Sequence, residues 1–146
     1  MSSTTTALIG TRKGLFEYDL DGERPDVLAA HFLGSPVSAV MVDRRDGAWY
    51  AGLDHGHFGV KLHRSDDRGA TWTELPYPAY PSSDSATTRL IWTLEPGHAT
   101  QPGVLWCGTI PGGLFRSADR GESWQLNQPL WDQPSQIGRA SCRERV

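Results

Sequence analysis

The sequence predicts an all-β protein assembled from a repeated, four-stranded antiparallel unit. Three observations carry this: one segment recurs in a matching frame, short apolar runs alternate with Gly, Pro and Asp turns, and no stretch has a helical period. The clearest unit reads Gly108-Thr-Ile-Pro-Gly-Gly113-Leu-Phe115-Arg-Ser117-Ala-Asp119-Arg-Gly121-Glu-Ser-Trp124. Its front half returns as Gly10-Thr-Arg-Lys-Gly14-Leu-Phe16, one residue shorter, and its back half as Arg64-Ser65-Asp-Asp67-Arg-Gly69-Ala-Thr-Trp72. The two closing tryptophans, Trp72 and Trp124, are 52 residues apart.

The first unit, 4–34, contains the Gly10 strand end, the turn Thr11-Arg12-Lys13 and the strand from Gly14. Tyr18-Asp19-Leu20-Asp21-Gly22 then reads as a degenerate copy of the back half, without its Ser and Trp; terminal repeats are often atypical. In the second unit, 35–76, a β-branched run from Val37 to Val42 is closed by Asp43-Arg-Arg-Asp-Gly47. Strand 48–52 follows, then the loop Leu53-Asp54-His55-Gly56-His57 and the alternating run 58–64. The third unit, 86–130, repeats the order with 89–94, a turn through Pro96, Gly97 and Gly103, and strands 104–109 and 113–117. Four strands in about 40 to 50 residues is the size of one propeller blade, so the expected fold is a partial β-propeller. It has one incomplete and two fuller blades. Trp92 and Trp106 lie within strands and are expected in the core, and Cys107 reads as a buried side chain rather than a reactive one.

Ser-x-Asp-x-Gly-x-Ser/Thr-Trp has a physical logic. The Asp carboxylate can accept backbone N–H groups of its own turn, Gly69 and Gly121 suit a positive φ, and each Trp offers a large face for packing between blades. With Ser65, Asp67, Gly69 and Trp72 in one copy and Ser117, Asp119, Gly121 and Trp124 in the other, the chain resembles the sialidase-like, BNR-repeat (Asp-box) propellers. The resemblance implies that these eight residues are scaffold and that ligands sit on the opposite face.

The ends set the frame. Residues Ile137 to Val146 can be written in codons as a common short-read sequencing adapter translated in frame, although a basic tail would also be Arg-rich. The expectation is that 136–146 is a non-native tail and that 1–135 carries N-terminal blades of a longer propeller. The whole chain has 14 Lys+Arg against 17 Asp+Glu, net −3; without Arg139, Arg143, Arg145 and Glu144 it is −5. An acidic chain without a basic patch argues against nucleic-acid or anionic-membrane partners. With no signal-like start, no membrane-length apolar run, and Cys107 alone once Cys142 is set aside, the chain reads as cytoplasmic.

Candidate binding residues lie in loops facing away from the boxes: Arg12, Lys13, Asp54, His55, His57 and Arg89. Arg12 and Lys13 could pair with a carboxylate or phosphate, and the histidines titrate near neutral pH. Asp54 is the one candidate for a catalytic acid/base, by analogy of position in the resembled sialidases. His-x-His beside Asp54 could ligate a metal, but a turn explains the pattern as well, and neither metal nor cofactor is expected. Tyr77 and Tyr80 lie in a long rim loop and could stack on a sugar or cover a blade edge. Two functional readings follow. The preferred one is a platform binding a small molecule or protein on that rim, as related assembly-factor propellers do; the alternative is an exo-sialidase-type glycoside hydrolase. The sialidases' Arg-Ile-Pro motif has no match here, which favours the platform.

Overall fold

The structure, a computed structural model, describes residues 5–134. It forms three antiparallel sheets. The first contains β1 (Thr6–Thr11), β2 (Gly14–Asp19) and β3 (Asp26–His31); the second β4 (Val37–Val42), β5 (Trp49–Asp54), β6 (Val60–Ser65) and β7 (Thr73–Leu75). The third holds β8 (Leu90–Pro96), β9 (Leu105–Ile110), β10 (Leu114–Ser117) and β11 (Gln125–Leu126), followed by α1 (Gln128–Trp131). Within each sheet every strand pairs with the next in sequence, so each sheet is an antiparallel meander. The expected tail, 136–146, lies outside the described residues.

Register shows how the sheets correspond. Gly52 pairs with Ala39 and Leu62, Gly108 with Thr93 and Leu114, and Gly10 with Leu15. Hence β1 occupies the lane of β5 and β9, and among the described residues the first sheet has no strand in the lane of β4 and β8. Those two strands pack against each other and form the inner edge of the array, and β4 also lies against β1. The sheets stack like leaves. Tyr50, Leu62, Leu75 and Met41 of the second sheet form one core with Ile91, Leu94, Leu105, Cys107 and Phe115 of the third. A smaller core joins Leu15 and Leu8 of the first sheet to Val37, Ala51 and Leu53 of the second. Close approach needs glycine: a methyl group at Gly10 would lie 3.0 Å from Val37 Cγ1, and one at Gly52 3.1 Å from Ile91 Cβ.

Two expectations are corrected. Trp92 is not core; 66% of it is exposed. The pairing of β8 with β9 slips between Ile91 and Thr93, so Trp92 is the extra residue of a β-bulge, which breaks the alternation that would have turned it inward. Ser38 is skipped in the same way in β4. Trp106 is half-buried, its ring 6.0 Å from the Arg116 guanidinium carbon. The second correction is α1, a single turn whose Asn127 side chain accepts from Leu130 N–H, with a Pro in its first turn. One turn is too short to leave a period in sequence. Cys107 is fully buried, and burial pushes its thiol pKa up to about 12, which leaves it an unreactive thiol.

Candidate functional site

The two repeated turns have one hydrogen-bond pattern. In the first, Ser65 Oγ accepts from Gly69 N–H (2.8 Å) and donates to Asp67 Oδ1 (2.8 Å). Asp67 in turn accepts from Thr71 N–H (2.8 Å) and Thr71 Oγ1 (2.5 Å). Ser117, Gly121, Asp119 and Ser123 repeat this at 2.8, 2.8, 2.9 and 2.5 Å. Gly69 and Gly121 both have φ of 88°, and the preceding Arg68 and Arg120 are also left-handed, at 57° and 60°. The hydroxyls of Thr71 and Ser123 hold the pKa values of Asp67 and Asp119 below the usual carboxylate range. Both oxygens of each carboxylate accept hydrogen bonds inside its own turn.

Each closing Trp enters a seam between sheets. Trp72 meets Phe32 at 4.9 Å and His31 at 5.6 Å, its Nε1 donating to His31 Nδ1 (3.4 Å); Trp124 Nε1 donates to the Pro76 carbonyl (3.2 Å). Around the second turn lies a charge network that sequence alone does not reveal. Arg120 pairs with Asp46 (2.9 Å) and Asp66 (2.5 Å), while Arg64 pairs with Asp66 and Glu122. These residues are brought together by the sheet stack and belong to its mechanics.

The opposite rim carries the β1–β2, β5–β6 and β9–β10 turns together with the loops that enter β4 and β8. Backbone hydrogen bonds stitch it: Gly34 N–H to Lys13 O (2.9 Å), Asp54 N–H to Pro36 O (2.9 Å), and Arg89 N–H to Ile110 O (2.7 Å). Arg12, Lys13 and Arg89 are exposed there, and among the described residues their side chains have no hydrogen-bond or ion-pair partner. Asp54 ends β5, and its Oδ1 accepts from Gly56 N–H (3.0 Å), which starts the 3-10 turn Gly56–Phe58. His55 is half-buried and His57 exposed on that turn. Among the described residues no side-chain hydrogen bond or ion pair joins Arg12, Lys13, Asp54, His55, His57 and Arg89 to one another. Among the same residues no group of three or more His, Cys, Asp or Glu is placed to hold a metal ion.

The two rim-loop tyrosines part company. Tyr80 is buried against Phe115 and Trp131, and its hydroxyl donates to the Pro111 carbonyl (2.6 Å); it covers the third sheet. Tyr77 stays exposed. With it on this rim are two large apolar side chains that sequence reasoning left out, Leu33 and Phe58, and Trp92 is exposed within β8, three residues beyond Arg89. An isolated exposed apolar residue needs no explanation, but several on one rim beside unpaired cations mark a candidate contact surface.

No family model matches the chain, and no curated protein does either. Among solved structures the chain is similar to YCF48 bound to D1 peptide, with a TM-score of 0.54 and 16% identity. The match covers 85% of this chain and 36% of that one. The fold is a partial β-propeller. At this identity the likeness extends to the fold and no further, and the chain spans about a third of its neighbour's length. No helix among the described residues is long and apolar enough to cross a membrane.

Proposed function

We propose that this chain is a peptide-binding platform of the Asp-box propeller kind, whose contact face is the rim opposite the box turns. The observation that carries the reading is the coincidence on that rim of unpaired Arg12, Lys13 and Arg89 with exposed Leu33, Phe58 and Tyr77, and of exposed Trp92 three residues into the adjoining strand from Arg89. Exposed aromatics anchor a peptide, and unpaired cations select one that bears carboxylates. The fold neighbour was solved with a peptide bound, which supports a peptide as the class of partner. The sialidase-type alternative would need Asp54 as proton donor or acceptor. Its Oδ1 is engaged by Gly56 N–H, which fits a loop-shaping role better.

The test is fluorescence anisotropy with labelled 15-residue peptides combining aspartate or glutamate with aromatic residues, against matched peptides carrying lysine. The acidic peptides should bind in the micromolar range and weaken with salt. Trp92→Ala should cost about tenfold or more in affinity, roughly 1.4 kcal/mol. Equal binding of acidic and basic peptides, or an unaffected Trp92→Ala variant, overturns the proposal. Hydrolysis of a fluorogenic sialoside that disappears in Asp54→Ala would establish the alternative instead.

A further inference from the structure

The two seams share a donor and differ in the acceptor. In the second, Trp124 Nε1 donates to the backbone carbonyl of Pro76 (3.2 Å); in the first, Trp72 Nε1 donates to the imidazole Nδ1 of His31 (3.4 Å). An indole N–H can only donate, so His31 Nδ1 accepts and the neutral ring carries its one proton on Nε2. That Nε2 is buried without a hydrogen-bond partner among the described residues, against the box turn: a methyl group on Gly69 would lie 3.1 Å from it. A second proton has to go on Nδ1, where it confronts the indole N–H and leaves a charged ring with no acceptor at either nitrogen. The charged side chains on the elements around His31 are Asp26 on its own strand, Glu17 and Asp19 on β2, Asp67 and Arg68 in the box turn, and Glu74 on β7. Among the described residues none of these carboxylates pairs with it. The next residue, Phe32, has a φ of 53°, a conformation that a bulky side chain adopts only under constraint. The constraint is the seam, where its ring packs on Trp72 and on His63, 4.9 Å from each. His63 Nδ1 is also buried without a partner, and the charged or titratable groups around that ring are Glu74, His55 and Lys61. Beyond Phe32 the chain is rim. Leu33 is 70% exposed, Ser35 N–H donates to the Phe32 carbonyl (2.9 Å), and Gly34 N–H to that of Lys13 (2.9 Å).

We infer that His31 is a proton-sensitive latch on this part of the contact rim. While the ring is neutral, the bond from Trp72 holds the end of β3 against the second sheet and Phe32 in its strained conformation. That sets the position of Leu33 and of the Lys13 turn. Protonation turns the bond into two opposed donors. The end of β3 then leaves Trp72, Phe32 relaxes, and the Gly34 and Ser35 hydrogen bonds open. The segment is closed when His31 is neutral and opens as pH falls through the range in which imidazoles titrate. The second seam has no such response, because its acceptor is a carbonyl. The opening is local: Leu15, Val37, Ala51 and Leu53, the core of the first seam, stay buried. A weakened grip on acidic peptides at low pH follows only if the peptide-binding reading holds; the latch itself does not depend on it.

The test follows amide exchange of Gly34 and Ser35 in the full chain by NMR, expressed as protection factors, which remove the intrinsic pH dependence of exchange. Between pH 7.5 and pH 5.5 these factors should fall about tenfold or more in the wild type. His31→Asn keeps an acceptor for Trp72 that takes up no proton, and its factors should change by less than about threefold. Trp72→Phe keeps an aromatic ring but removes the donor, so both amides should be poorly protected already at pH 7.5 and lose little more at pH 5.5. Wild-type factors that hold at pH 5.5, or an equal fall in His31→Asn, overturn the inference. The same proteins are titrated with the acidic peptides. An affinity about tenfold weaker at pH 5.5 in the wild type but not in His31→Asn carries the latch through to binding. Absence of peptide binding at both pH values, with the exchange result intact, sinks the peptide-binding reading and leaves the latch standing.

Discussion

Arg45 offers the sharpest test of how the sheets are held together. It follows β4, yet its guanidinium serves the third sheet: Nη1 donates to the carbonyls of Gly97 (3.2 Å), His98 (3.3 Å) and Gln101 (2.8 Å), and Nη2 to that of Val104 (2.8 Å). The same group clasps Asp43, Nε to Oδ1 at 2.8 Å and Nη2 to Oδ2 at 2.6 Å. Asp43 is 2% exposed. In Arg45→Ala the carboxylate loses its counter-charge and four carbonyls lose a donor; at least those at the loop surface regain water. Removing one partner of a buried, hydrogen-bonded ion pair costs roughly 3–5 kcal/mol, and the 17% exposure of Arg45 places the expectation at the lower end, about 3 kcal/mol. The assay is urea denaturation followed by tryptophan fluorescence, with Asp43→Asn and the double variant closing a thermodynamic cycle. Arg45 holds the Asp43 pKa below its ordinary value. The wild type should therefore gain stability from this pair above about pH 4, lose it as pH falls through the depressed value, and show no such acid limb in Arg45→Ala. A loss under about 1 kcal/mol, or additive single variants, would refute the assignment of Arg45 as the clamp.

Other expectations concern the turns, the first seam and the rim. Ser117→Ala removes the acceptor of Gly121 N–H and a donor to Asp119, and should cost about 1–2 kcal/mol by the same denaturation assay. Gly121→Ala should cost more than the strain of φ 88° alone, because its methyl group would come within 3.1 Å of Leu75 Cδ1. His63 is packed on Phe32 at 4.9 Å, and burial lowers its pKa below the ordinary value despite Glu74 opposing the shift. Its contribution is fully present above about pH 6.5 and falls as pH drops toward the depressed value, by at most about 1.4 kcal/mol per pH unit. Denaturation midpoints at pH 7.5, 6.5 and 5.5 should decline in the wild type and much less in His63→Phe; parallel curves would dismiss the effect. Trp92→Ala should leave stability within about 0.5 kcal/mol, since so exposed a side chain contributes little packing.

Much of the fold is readable in the chain because its information is local. A turn that satisfies Ser65, Asp67 and Gly69 within the seven residues 65–71 writes its whole hydrogen-bond plan into nearby letters, and β4 follows directly from a β-branched run closed by a polar turn. What escapes is written across the sheets. The reach of Arg45 to carbonyls more than fifty residues away has no local mark, nor does the pairing of Arg120 with Asp46 and Asp66. Trp92 misleads for a different reason. Alternation assumes unbroken pairing, and one extra residue in β8 turns an apparent core tryptophan to solvent. The rim was visible as a set of loops carrying Arg12, Lys13, Asp54, His55, His57 and Arg89. Their unpaired or capped states came only with the structure, as did the apolar half of that surface.

Each seam combines a glycine that admits the next sheet's inner strand with a tryptophan farther out. Glycines at positions 10, 52 and 108 occupy the second lane, while tryptophans at 72 and 124 sit at the entrance to the fourth. Thin packing on one side and thick packing on the other make each leaf a wedge, and stacked wedges curve. The angle of that wedge, multiplied around an axis, determines how many leaves complete a circle. Enlarging the glycines would spread the narrow side and flatten the arc, whereas trimming the tryptophans would thin the broad side and flatten it too. The curvature of the stack thus depends on two residue types, glycine near the inner edge of each seam and tryptophan near the outer one.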